Sequence, residues 1–122
     1  MAEITMRTLI VDVSSLEEVN ARVDRAVAGD VIGTRRSFVS ADLLLDFMTS
    51  KRLQILKVMT GAGPISIREL SRRIGRDVKA VHGDVQALIA RRFVIKTDDG
   101  KIEFPFDEVR VNFVLSGATQ AA

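Results

Sequence analysis

Cysteine, tryptophan and tyrosine are absent from this 122-residue sequence, which holds only one histidine and two prolines. Without cysteine there are no disulfides and no thiolate metal sites, which fits a reducing compartment. A lone histidine, His82, leaves no His-rich metal cluster, and with no thiol nucleophile either, a hydrolase would need an unusual site. No phosphate-cradling glycine loop, zinc-ligand spacing, HExxH or nucleophile elbow occurs. The reading is of a protein that is not an enzyme and needs no cofactor and no metal. With six phenylalanines as its only aromatics, mostly at pattern-apolar positions, the chain lacks stacking platforms for single-stranded nucleic acid. Long apolar runs are missing too: "LLL" at 43–45 and "FVL" at 113–115 fall far short of a membrane span, which needs ~20 residues. The opening "MAEITMRTLIVDV" lacks the basic-then-apolar layout of a secretion signal, so a soluble, cytoplasmic protein with no membrane partner is expected.

What is present is enough for one domain: 47% hydrophobic residues build a core without a metal or disulfide staple. The net charge of +2 conceals a segregation by segment. Residues 51–101 hold twelve Lys and Arg against five acids, whereas residues 1–50 come to −3 and residues 102–122 to −2. All the excess positive charge therefore lies in the middle of the chain. That pattern suggests a polyanion-binding module flanked by parts with another task.

The flanks read as a strand and a helix. "ITMRTLIVDV", residues 4–13, is rich in β-branched residues and predicts a strand. A helix follows from about Ser15 to Ala28, with Ser15 and Glu18 at capping-box spacing and Gly29 placed to end it. "GDVIGTRRS", 29–37, reads as a loop or short connector, with Arg35 and Arg36 either solvated or extending a phosphate footprint, and the only plausible subdomain boundary falls around it.

From Phe38 the pattern predicts three helices, a tight turn, a further helix and a hairpin. "SADLLLDFM" is a short apolar helix; "TSKRLQILKVM" is a second, capped by Thr49 or Ser50 and stopped by Gly61 and Gly63. Ser66 and Glu69 repeat the capping-box spacing at the head of "SIRELSRRIG", which turns Ile67, Leu70 and Ile74 inward and Arg68, Arg72 and Arg73 outward. After a turn at Gly75 and Arg76, a helix from Asp77 to Arg91 presents Val78, Val81, Val85, Leu88 and Ile89 inward at 3.6-residue spacing. "FVIKTDDGKIEFP" then has the turn chemistry of a hairpin, and "VRVNFVL" at 109–115 reads as a last strand. Two short helices joined by a glycine turn signal a helix-turn-helix, and a basic hairpin directly after it is a wing. The adjacent acids Asp98 and Asp99 serve the turn, and Asp84 with Arg76 or Lys79 reads as a helix-surface ion pair.

The stretches "TSKRLQIL", "SIRELSRRIGRDVKAVHGDV" and "FPFDEVRV" resemble the small MarR-like winged helix-turn-helix regulators of bacteria and archaea, some of them antitoxin-type autoregulators. The resemblance covers about residues 38–114 and implies a dimeric DNA-binding autoregulator. Where that family tends to carry a basic residue after the histidine, this chain has Gly83.

The expected fold is thus α+β: a winged helix-turn-helix over 38–115, an N-terminal strand-helix arm over 1–37 that dimerises, a C-terminal strand and a flexible tail over 116–122. Outward positions of the second helix, Arg76, Lys79, Ala80, His82, Gly83 and Gln86, are the expected base contacts, because a recognition helix enters the major groove with its N-terminal half. Thr49, Ser50, Lys51, Arg52, Ser66, Arg68, Arg72 and Arg73 are the expected phosphate contacts. Lys96, Thr97 and Lys101 form the wing. Double-stranded DNA and a second copy of the chain are the expected partners, with a toxin protein as an alternative one. The rival reading is a protein-interaction module in which the winged core is only a scaffold.

Overall fold

The computed structural model describes residues 7–15 and 34–114. The expected helix beyond Ser15 and the expected tail lie outside these residues. In order, the elements are β1 (Thr8–Val13), β2 (Arg35–Phe38), α1 (Ala41–Phe47), α2 (Ser50–Met59), α3 (Ile67–Ile74), α4 (Val78–Ala90), β3 (Ile95–Lys96), β4 (Ile102–Glu103) and β5 (Glu108–Asn112). The protein is a small mixed α/β fold with four helices among the described residues. Its packing divides it into two compact units, Met48–Glu108 with Met1–Thr8, and Leu9–Phe47 with Val109–Ala122.

In the larger unit α2, α3 and α4 pack against one another. Each begins with a side-chain cap. Thr49 accepts a hydrogen bond from the Arg52 N–H, Ser66 from the Glu69 N–H and Asp77 from the Lys79 N–H. These caps satisfy backbone donors that the first helical turn leaves free. Gly75 closes α3 in the left-handed region, at φ 78°, and its N–H donates to the Ser71 carbonyl. Ser71, buried, donates its hydroxyl to the Arg76 carbonyl, so the turn between α3 and α4 is held from inside. The core joins Ile55, Leu56 and Met59 of α2 to Leu70 of α3, Val81, Val85 and Leu88 of α4, and Phe93, Val94, Ile102 and Phe104 beyond them. Burial of this apolar surface is the main force holding the three helices to the hairpin.

Two sequence expectations for α3 and α4 differ from what is observed. Val78, expected inward, is 44% exposed. It is the first residue of α4, and helical spacing alone does not tell where the neighbouring helix stops covering it. Ile67 and Ile74 are only half-buried, while the polar Ser71 takes a core position because its hydroxyl has the turn carbonyl to bond.

After α4 the chain reverses through Arg92, a non-glycine residue at φ 63°. The Arg92 N–H donates to the Ile89 carbonyl at 2.9 Å and the Phe93 N–H to the Leu88 carbonyl at 2.9 Å. That is a Schellman closure, with the buried Phe93 and Leu88 as its apolar partners. The hairpin follows, with Lys96 opposite Ile102 and Ile95 opposite Glu103. Ile65, just before α3, exchanges both backbone hydrogen bonds with Ile102, at 2.9 and 2.8 Å, and so adds a third rung to the hairpin. In the loop, Gly100 takes φ 82° and the Thr97 hydroxyl accepts from the Lys101 N–H at 3.1 Å.

The smaller unit is a three-stranded sheet in the order β2-β1-β5, with β1 central. β1 and β2 run parallel, Ile10 opposite Arg35 and Val13 opposite Phe38. Leu9, Val11, Phe38 and Leu44 are buried, and the Phe38 and Phe47 rings pack with 5.5 Å between centroids. The loop expected at 29–37 is corrected here: its end, Arg35–Phe38, is a strand. Asp12 explains how so charged a segment pairs with β1. Its carboxylate accepts from the Arg35 guanidinium and from the Ser37 hydroxyl, the latter at 2.6 Å.

Candidate nucleic-acid interface

Three buried valine and leucine positions, Val81, Val85 and Leu88, fix which side of α4 faces the core. At 3.6 residues per turn the opposite side carries Lys79, Ala80, Gly83 and Gln86, with His82 at its margin. All five are exposed. The only side-chain contact among them is between Gln86 Nε2 and His82 Nε2, at 3.5 Å. Lys79 has no ion-pair partner among the described residues, so its ammonium is available to a ligand.

Arg76 behaves otherwise. Expected among the outward positions, it is turned inward with 18% of its side chain exposed. Its Nη2 donates to Asp84 Oδ2 at 2.9 Å, and Arg52 Nε donates to Asp84 Oδ1 at 3.0 Å. Asp84 thus joins the start of α2, the α3–α4 turn and the middle of α4. It is no exposed surface pair, since its side chain and that of Arg76 are each 18% exposed. Burial alone would raise the Asp84 pKa, but the hydrogen bonds from Arg52 and Arg76 outweigh it and hold the carboxyl below its ordinary value. Two residues expected to contact DNA, Arg52 and Arg76, therefore hold the helix that carries the other candidates. Sequence reasoning paired Asp84 with Arg76 but missed Arg52, which lies on another helix.

On α3, Arg68 is exposed and without an ion-pair partner among the described residues, whereas Arg72 and Arg73 both engage Glu69. Arg72 Nε and Nη2 donate to the Glu69 carboxylate at 3.0 and 2.5 Å, and Arg73 Nε at 2.7 Å. These bonds pull the Glu69 pKa down to about 2. Both guanidiniums remain in solvent and keep donors free. Thr49 and Ser66 spend their hydroxyls as caps, which leaves Ser50 and Lys51 exposed at the start of α2, Arg68 at the start of α3, and Arg72 and Arg73 in the last turn of α3.

On the hairpin, Lys96 and Lys101 are exposed. Thr97 shapes the loop, its hydroxyl donating to the Asp99 carboxylate, and that bond lowers the Asp99 pKa. No group of three or more His, Cys, Asp or Glu is arranged to hold a metal among the described residues. No helix of the described residues is long and apolar enough to cross a membrane.

These features define a small mixed α/β protein whose larger unit presents an exposed, positively flanked helix face. The chain matches the HVO_A0114 family model over residues 47–111, more than half its length, and belongs to that family. No curated protein and no solved structure matches it.

Proposed function

We propose that this protein is a sequence-specific regulator that binds duplex DNA, with α3, α4 and the β3–β4 hairpin acting as a winged helix-turn-helix. The observation that carries the reading is the outward face of α4. Lys79, Ala80, His82, Gly83 and Gln86 are all exposed, on a helix held to α2 and the α3–α4 turn through Asp84. A face of donors and small residues on a rigid helix suits the major groove, where Gln reads adenine and Lys reads guanine or phosphate. Ser50, Lys51, Arg68, Arg72 and Arg73 are the phosphate contacts and Lys96 and Lys101 the wing contacts in this reading. The regulator acts as a homodimer on a near-palindromic operator, most simply as an autorepressor.

A mobility-shift titration on the DNA upstream of the protein's own reading frame tests the proposal. Binding should be specific and should weaken steeply with salt, as counterions are released from several phosphates. Lys79→Ala and Gln86→Ala should each lower affinity for the specific duplex by about 1–3 kcal/mol, while Lys96→Ala should weaken all duplexes equally and reduce the salt slope by about 1. Absence of specific binding, or identical behaviour of the three variants, overturns the assignment. A second reading, a module that captures a partner protein such as a toxin, draws on the apolar Val111, Phe113 and Val114 exposed at and beyond the end of β5. A chain that ignores DNA yet binds such a partner would favour it.

A further inference from the structure

Nothing among the described residues gives Gly83 a reason to be glycine. It lies in the interior of α4, with more than a full turn of helix before it and nearly two turns after it. Its φ is not positive, and a Cβ placed on it would meet no atom of the described residues within 4 Å. Neither a turn nor close packing requires it. In an exposed helix interior, glycine costs about 1 kcal/mol relative to alanine. The residue breaks a local rule without compensation among the described residues, and such violations concentrate at functional sites.

Its place on the helix indicates which partner. The buried side of α4 is centred on Val81, Val85 and Leu88, and helical spacing sets Gly83 about half a turn from them, at the middle of the outward face. Lys79 lies one turn before it and Gln86 one turn after. An α-helix with its side chains is ~10–12 Å across, and the major groove is ~12 Å wide. A helix entering that groove is limited by whichever side chain meets the base edges first, and that is the residue at the centre of its outward face. Glycine there lets the backbone descend.

We infer that Gly83 is the point of closest approach between α4 and the DNA, where the missing side chain lets Lys79 and Gln86 on either side reach the base edges. The inference rests on the DNA-binding reading above and adds a specificity-determining residue to it. Substitution at Gly83 separates stability from binding. Gly83→Ala should raise the melting temperature by a few degrees, because only helix propensity changes. Its affinity for the upstream duplex should fall by roughly tenfold, equivalent to about 1.4 kcal/mol. Gly83→Leu should be at least as stable as wild type and bind more weakly still. Affinity for a scrambled duplex should change much less, so the ratio of specific to non-specific binding falls with side-chain size. Retention or gain of specific affinity in both variants, with wild type binding normally, overturns the Gly83 assignment alone. Wild type that fails to bind any specific duplex overturns the DNA-binding reading, and this inference with it. A fall in melting temperature in Gly83→Ala shows that the chain itself needs the glycine and likewise overturns the inference.

Discussion

Asp84 shows how one carboxylate changes the reading of its neighbours. On sequence spacing it looks like half of an exposed ion pair of little consequence. In the fold it accepts from Arg52 and Arg76, and Arg76 keeps a buried Nη1 with no hydrogen-bond partner among the described residues. Removing the carboxylate would take a charged acceptor from two largely buried guanidiniums. Asp84→Ala should therefore destabilise the protein by about 1–3 kcal/mol, read as a shift in the denaturation midpoint. Asp84→Asn adds a pH signature. The folded-state pKa of Asp84 lies below its ordinary value of 3.8, so its charge-dependent stabilisation is complete above that pH and is lost as the pH falls through the folded value. The stability gap between wild type and Asp84→Asn should be constant at neutral pH and narrow on acidification below about pH 4. A gap independent of pH would remove the charge from the explanation. Asp84 was visible in the sequence and its second partner was not: Arg52 precedes it by 32 positions, and nothing local ties the two.

At the scale of elements, helix starts were legible and helix ends only partly so. Thr49, Ser66 and Asp77 cap as their positions predict, because a cap is a local bond between a side chain and a backbone two or three residues on. The glycine turn at Gly75 is equally local. The end of α4 is not, since its left-handed residue is Arg92 and the burial of Phe93 against Leu88 takes the place of a glycine signal. β2 was hidden for a related reason, as "RRSF" becomes a strand by pairing with β1 through Asp12. Gly75 makes the local argument testable beside Gly83. A Cβ on either would meet none of the described residues, yet Gly75 alone of the two has a positive φ, 78°. Gly75→Ala should cost about 1 kcal/mol, because a left-handed backbone penalises any L side chain. In urea melts, the midpoint should fall at an unchanged slope. Opposite signs for alanine at the two positions are the expected result; equal signs would show that something other than backbone conformation governs the turn.

For the whole molecule, the segregation of charge read from the sequence maps onto the packing: the segment 51–101 that carries the excess of Lys and Arg falls entirely within the Met48–Glu108 unit. The other unit is a sheet whose outer strand β5 exposes Val111, followed by exposed Phe113 and Val114. Val114 is 85% exposed, and β5 is the last strand in the sheet order β2-β1-β5. Such an edge is a template for pairing with another chain. Two copies joined antiparallel about Val111 would set Val109 across from the second copy's Phe113, a β-branched residue against an aromatic one on the same face. Light scattering at micromolar concentration should give about twice the 13.4 kDa chain mass. Val111→Lys, which adds a charge to the edge, should give the mass of one chain while its far-ultraviolet dichroism stays that of wild type. If wild type scatters as a single chain, the dimer is refuted; if Val111→Lys still dimerises, the two-fold contact lies on another surface and β5 is free for a different partner.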